Sequence, residues 1–212
     1  MPTQQPESTT FVLYGKRFSI PGDFYKAKPL PDDPPNSIVF EKDTSDATNI
    51  LMLYLIDKSE AMPFNNQDGV IDSLHRILGE NQGIVEVNTG ETNAGLSFVY
   101  TIVKHLKQPS GVQYILTFQI DLDSNSAVLN LSGFFTEEGI TGARDATVYE
   151  YAMREGIISK EDKSKWCEDP YSPDFKKGVL LNLSEHEKFD EFFPTHPLSE
   201  LRRFLKIFIS QN

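Results

Sequence analysis

The stretch VQYILTFQID, Val112–Asp121, decides the fold. Val112, Tyr114, Leu116, Phe118 and Ile120 fall on one parity of this run. A period of two sends alternate side chains to one face of a pleated strand. The run SAVLNLSGFF, Ser126–Phe135, repeats the pattern with Ala127, Leu129, Leu131 and Phe135. Between the two lies a short segment rich in Asp, Ser and Asn, which supply turn geometry. Upstream, GLSFVYTIVKHL (Gly95–Leu106) reaches Val112 through KQPSG, and GIVEVNTGE (Gly83–Glu91) precedes it. Parallel neighbours need a crossover of about a dozen residues or more, so these strands pair antiparallel.

Working towards the N-terminus, the period changes in FNNQDGVIDSLHRILG, Phe64–Gly79. Val70, Ile71, Leu74, Ile77 and Leu78 recur at helical spacing, with Asn65 or Asn66 as cap and Gly79 at C′. NILMLYLID, Asn49–Asp57, is apolar on both parities and is expected to be a central strand covered on both faces. SIVFEK, Ser37–Lys42, reads as a further strand. Pro21–Asn36 holds five prolines in sixteen residues, which excludes a regular helix or a central strand. FVLY and RFSI flank Gly15 and Lys16 as a hairpin.

Towards the C-terminus, a second helix is expected from near Ile140, with Ala146, Tyr149, Ala152 and Met153 as its apolar stripe and Gly156 as its end. The fold class is therefore α+β, an antiparallel β-sheet with packed helices. Residues 1–10 read as a flexible tail, 11–157 as the α+β domain, and 158–212 as a polar connector followed by a helix pair. The first helix of the pair is LSEHEKFDEFF, with Ser184 and Glu187 spaced as a capping box. The second carries Leu198, Leu201, Leu205 and Phe208 on one stripe. Neither helix buries its face alone, so the pair packs on the body or on a partner.

The 212 residues carry a net charge of -11, with 39% hydrophobic and 24% charged residues. So acidic a surface repels phosphate backbones and anionic lipid, which argues against nucleic acid as a partner. No window holds 18 apolar residues and the first residues form no signal peptide, so membrane insertion is not expected and the chain reads as cytoplasmic, unless a leader has been removed. Cys167 is the single cysteine, which rules out an internal disulfide and a cysteine-rich zinc site.

No catalytic signature stands out. The four histidines, His75, His105, His186 and His196, include no pair at zinc-helix spacing, so no metal is expected. His196 sits between Pro194 and Pro197 and reads as the joint between two helices. Asp121, Asp123 and Asn125 resemble the start of a calcium loop, but Ser126 and Ser132 stand where Gly and Glu are required. Cys167 precedes Glu168 and Asp169, whose charges would raise its pKa. No glycine-rich phosphate loop is present and no cofactor is expected. Arg144 and Asp145 lie in the first turn of the second helix, where an anion site competes with a simple Arg144–Asp145 contact. Trp166 and Tyr171, with Phe175, either anchor a partner or pin the connector to the body. The candidate binding residues are thus Trp166, Tyr171, Arg144 and His196.

The segment YGKRFSIPGDF, Tyr14–Phe24, resembles the opening of PsbP/Mog-type domains, where a hairpin strand runs into a Pro-Gly-Asp turn. The order of elements over residues 11–157 is similar to theirs as well. The resemblance implies a shared fold and a non-enzymatic binding or accessory role through a protein partner. It carries over no binding residue, and residues 158–212 lie outside it. Two alternatives stand beside it: a hydrolase or small-molecule enzyme with a scattered site at Arg144, Asp145 and His196, and an acidic, immunity-type neutraliser of a basic protein.

Overall fold

The computed structural model describes residues 8–13, 15–122 and 127–212. β1 (Thr9–Leu13) and β2 (Lys16–Ile20) form a separate hairpin. One seven-stranded antiparallel sheet runs in the order β3 (Tyr25–Ala27), β4 (Ile38–Asp43), β5 (Ala47–Asp57), β9 (Ala127–Glu137), β8 (Val112–Asp121), β7 (Ser97–Leu106) and β6 (Gln82–Glu91). The chain is an α+β protein, and the alternating run Val112–Asp121 is β8, next to the middle of the sheet. The calcium-like residues Asp123 and Asn125 lie outside the described residues; the strands on either side, β8 and β9, pair as a hairpin.

The alternation in β8 is used as expected. Tyr114, Leu116, Phe118 and Ile120 are buried with Leu129, Leu131 and Phe135 of β9. Phe18 and Ile20 of the hairpin cover this face together with α3 (Pro197–Gln211). Leu198, Leu201, Phe204, Leu205 and Phe208 of α3 belong to the same apolar cluster. Phe208 meets the Phe118 ring edge-on at 5.5 Å, and Phe204 meets Phe24 at 5.6 Å.

The opposite face is covered by α1 (Gln67–Ile77), whose Val70 and Ile71 pack on Ile84, Val87, Val99 and Val103. Asn66 caps α1, its Oδ1 accepting from Gly69 N–H at 2.9 Å. Leu78 leaves the helix with ψ near 135° and turns into the core, so the helix ends one residue before the apolar stripe does and leaves Ile77 in solvent. α1 spans only the β6–β7 side. β7 is accordingly buried on both faces, whereas β5 is buried on one parity and half-exposed on the other. The expectation that β5 is covered on both faces is corrected to that extent. A bulge at Val85 in β6 turns Glu86 to the α3 face.

Helix α2 (Ala143–Arg154) closes with a Schellman motif: Gly156, at φ 67°, donates to Met153 O and Ile157 donates to Ala152 O. Its start and its buried stripe both differ from the sequence reading. It begins at Ala143, and Arg144, Val148 and Ala152 are the buried side chains, at i, i+4 and i+8. The stripe is led by an arginine, which periodicity counts as polar.

The helix expected over Leu183–Phe193 is two 3-10 turns, Leu183–Glu185 and Glu187–Phe192, broken at His186. The capping box lies two residues earlier than expected: Asn182 Oδ1 accepts from Ser184 N–H at 2.9 Å, and Glu185 Oε2 accepts from Asn182 N–H at 2.8 Å. The physical reason is in the carbonyls. An α-helix would pair Ser184 O and Glu185 O with amides four residues on. Here Arg144 Nε donates to Ser184 O at 2.8 Å and Arg202 Nη1 donates to Glu185 O at 2.9 Å. Two guanidinium groups have replaced the helix's own donors.

The two sheet edges are closed differently. β3 is three residues long. β6 is followed along its length by the connector, where Val179 N–H donates to Gln82 O at 2.9 Å. Gly83 permits this approach, since a Cβ there would stand 1.6 Å from Val179 O.

Candidate functional site

Arg144 is 1% exposed and all its donors are bonded. Its Nη1 donates to Ser199 Oγ at 2.9 Å and to His196 Nδ1 at 3.3 Å. Its Nη2 donates to Asp190 at 2.8 Å and more weakly to His186 O. The contact expected between Arg144 and Asp145 is not formed. Asp145 instead accepts from Ser184 Oγ and from Asn182 Nδ2. Arg202 joins the same cluster through Asp190 and reaches Glu86 at 3.2 Å, which also accepts from Tyr100. Beside it, Lys104 and Tyr114 donate to the two oxygens of buried Glu185, at 2.5 and 3.0 Å. Burial and the Glu185 carboxylate hold the Tyr114 phenol well above its ordinary pKa.

His196 is buried and is the N-cap of α3, with Pro197 at the first helical position. Its Nδ1 accepts from Leu198 N–H as well as from Arg144. Arginine and amide groups are donors only, so Nδ1 carries no proton and the ring is neutral, with its proton on Nε2. Burial, then the charges of Arg144 and Arg202, push its pKa down to about 3. His196 is therefore the packed joint between the 3-10 run and α3.

Trp166 and Tyr171 lie elsewhere. Trp166 meets Tyr149 of α2 edge-on at 5.0 Å. Tyr171 pins the connector to β6: its hydroxyl accepts from Val87 N–H at 2.6 Å and donates to Val87 O at 3.1 Å. Phe175 stacks on His75 at 4.0 Å, and His75 reaches Asp169 at 3.1 Å. The structure thus brings Arg144 and His196 together and leaves Trp166 and Tyr171 apart from them. The Cys167 thiol is held above its ordinary pKa, but the first cause is burial; its charged neighbours are Lys104, Glu185 and Asp145 rather than Glu168 and Asp169. Among the described residues no cluster of three His, Cys, Asp or Glu side chains is placed to hold a metal ion.

Three clefts lie along α2, from its N-terminus to Arg154. One of about 320 Å³ opens over Arg144 and His196, lined by Ile140, Phe192 and Phe193. A second, of about 470 Å³, lies between α2 and the Glu187–Phe192 turn and shares Phe192 and Phe193 with the first. The third, of about 310 Å³, shares Glu137 and His196 with the first and adds Leu106. Within this band the α2 N-terminus is already answered, since Gly142 N–H donates to Glu137 Oε1 at 2.8 Å. Burial, partly offset by that bond, raises the pKa of Glu137. Sequence reasoning missed the aromatic rim. Phe189, Phe192 and Phe193 are spaced as one helical face, which reads as core; the chain turns away at Phe193, with φ −132° and ψ 61°, and leaves Phe192 in solvent.

No protein-family model and no curated protein matches this chain. Among solved structures it is similar to the Ran-binding protein Mog1p of Saccharomyces cerevisiae, at 13% identity over 68% of this chain and 84% of that one, with a TM-score of 0.46. A variant of the protein Mog1 matches at 11% identity over 97% and 94% of the two chains, with a TM-score of 0.47. Cyanobacterial PsbP from Synechocystis matches at 12% identity over 71% and 90%, with a TM-score of 0.39. The resemblance is one of fold alone, and no residue role transfers through it.

Proposed function

We propose that this chain is a non-enzymatic binding protein that engages a protein partner through the band of clefts around α2. The observation that supports it is where the exposed apolar side chains lie. Eight large ones are exposed among the described residues, and four of them line these clefts: Leu106 (41%), Ile140 (87%), Tyr151 (39%) and Phe192 (74%). Contiguous exposed apolar surface marks interaction sites.

The polar groups beneath the band are committed to one another. A scattered catalytic site at Arg144, Asp145 and His196 would need them to converge on a substrate. Arg144 and His196 converge on each other, and Asp145 on Ser184 and Asn182. His196, at about 3, lies far from the pKa a general base needs near neutral pH. The partner is a protein rather than nucleic acid, given the net charge of -11. Residence in the cytoplasm is part of this proposal, and no helix among the described residues is long and apolar enough to cross a membrane.

The test compares two baits in one lysate, the native chain and a Tyr151→Ser/Phe192→Ser variant, read by mass spectrometry. Both side chains are exposed, so the variant keeps its fold, which circular dichroism checks. A partner held by the native chain and lost by the variant supports the proposal. Identical partner sets overturn it.

A further inference from the structure

The cleft of about 470 Å³ between α2 and the Glu187–Phe192 turn differs in charge from its neighbours. Val148, Phe189 and Phe193 give it an apolar lining, and Tyr151 and Phe192 stand exposed beside it. The charged side chains that line it are Arg154 and Lys188, both cations, on a chain of net charge -11. The adjoining cleft of about 320 Å³ has two carboxylates, Asp46 and Glu137, in its lining beside Arg144, whose guanidinium is taken up by Asp190 and its other partners. Each cation lies against a ring of the cleft: Arg154 is 5.9 Å from the Tyr151 centroid and Lys188 is 5.0 Å from that of Phe189. Arg154 reaches Glu155 at 3.2 Å, but both side chains are open to solvent and such a pair contributes little. Among the described residues Lys188 makes no ion pair.

We infer that this cleft receives an acidic amphipathic segment of the partner protein. An apolar side chain of that segment sits against Val148, Phe189 and Phe193, and a carboxylate beside it pairs with Arg154 or Lys188. Apolar burial supplies the affinity and the ion pair selects which segment binds. The inference rests on the binding proposal and names the class of partner.

Two synthetic peptides of equal length test it. One carries leucine and phenylalanine four residues apart between glutamates, and the other has lysines in place of the glutamates. Amide-resolved NMR titration of the full chain, taken to millimolar peptide, reads weak binding. The expected result is shifts centred on residues 147–154 and 188–193, with about tenfold tighter binding of the acidic peptide, a preference that shrinks as salt rises. An Arg154→Glu/Lys188→Glu variant, altered at two exposed positions, is expected to prefer the lysine peptide. Equal or better binding of the lysine peptide by the native chain overturns the acidic class while leaving the binding surface in place. No shift from either peptide overturns the inference, and the two-bait comparison then decides the binding proposal separately. A concentration-dependent dimer in sedimentation, abolished by Phe192→Ser, names a second copy as the occupant and also overturns it.

Discussion

The Asn212 carboxamide holds both backbone groups of Ser19, 193 positions earlier in the chain: Ser19 N–H donates to Oδ1 at 2.7 Å, and Nδ2 donates to Ser19 O at 3.1 Å. A side-chain amide thereby takes the place of a neighbouring strand beside β2 and ties the hairpin to α3. Asn212→Ala removes both bonds and a third to Phe208 O. The expected loss is about 3 kcal/mol of stability, since three bonds go at a net contribution near 1 kcal/mol each. Urea unfolding measures it, and faster amide exchange at Ser19 localises it. Unchanged exchange there would show that the clasp does not hold β2.

His196 makes stability depend on pH. Its folded pKa of about 3 lies below the ordinary 6.5, so in acid the unfolded chain takes up a proton that the folded chain refuses. The stabilisation is complete above about pH 6.5 and is lost as pH falls, at about 1.4 kcal/mol per unit, until the folded ring itself protonates near pH 3. A His196→Asn variant keeps a side-chain acceptor without the titration. The difference in unfolding free energy between the two proteins is expected to shift by about 3 kcal/mol between pH 7 and pH 4, in the variant's favour. A difference that is flat with pH would remove the histidine from the acid response.

Arg144 is expected to be among the most sensitive positions of the fold. Arg144→Ala leaves the Ser184 carbonyl and the Ser199 hydroxyl oxygen without their donor and leaves Asp190 with Arg202 as its one arginine, and breaking a buried ion pair on one side costs about 3–5 kcal/mol. Arg144→Lys keeps the charge but lacks the planar fork. Its stability is expected between those of the alanine variant and the native chain. A lysine variant as stable as the native chain would show that charge alone suffices.

Truncation after Ile157 strips Leu198, Leu201, Phe204, Leu205 and Phe208 from the apolar cluster. Their burial is worth on the order of 10 kcal/mol, comparable to the whole stability of an ordinary domain. We therefore expect residues 1–157 alone to aggregate or to melt without cooperativity. A sharp thermal transition in the truncated chain would mean that residues 158–212 are dispensable to the fold.

What was legible in the sequence, and what was not, follows from the range of the interactions. β7, β8 and β9 announce themselves because alternation is written within each strand, and short connections leave one pairing. The cap at Asn66 and the end at Gly156 are local too. The 3-10 turns were not legible, because arginines 40 residues upstream and 17 residues downstream take carbonyls that local sequence assigns to a helix. Of the candidate binding residues, Arg144 and His196 do lie beneath the cleft band, although for reasons of packing. The exposed rim at Ile140, Tyr151 and Phe192 went unread because nothing in a single sequence separates an apolar residue facing solvent from one facing the core.

The contact between Gly83 and Val179 O has a further consequence. β6 contributes ten residues of backbone at the border of the sheet, and a bare border of that length recruits strands from other molecules. The connector occupies it, with Val179 at Gln82 and the Tyr171 hydroxyl at Val87 as fasteners. Lifting the connector would do two things together: offer a cleavable strand to proteases and a template to neighbouring copies. The lifetime of this protein in concentrated solution would then turn on how often a surface ribbon peels away, a local opening that does not require the aromatic core to melt.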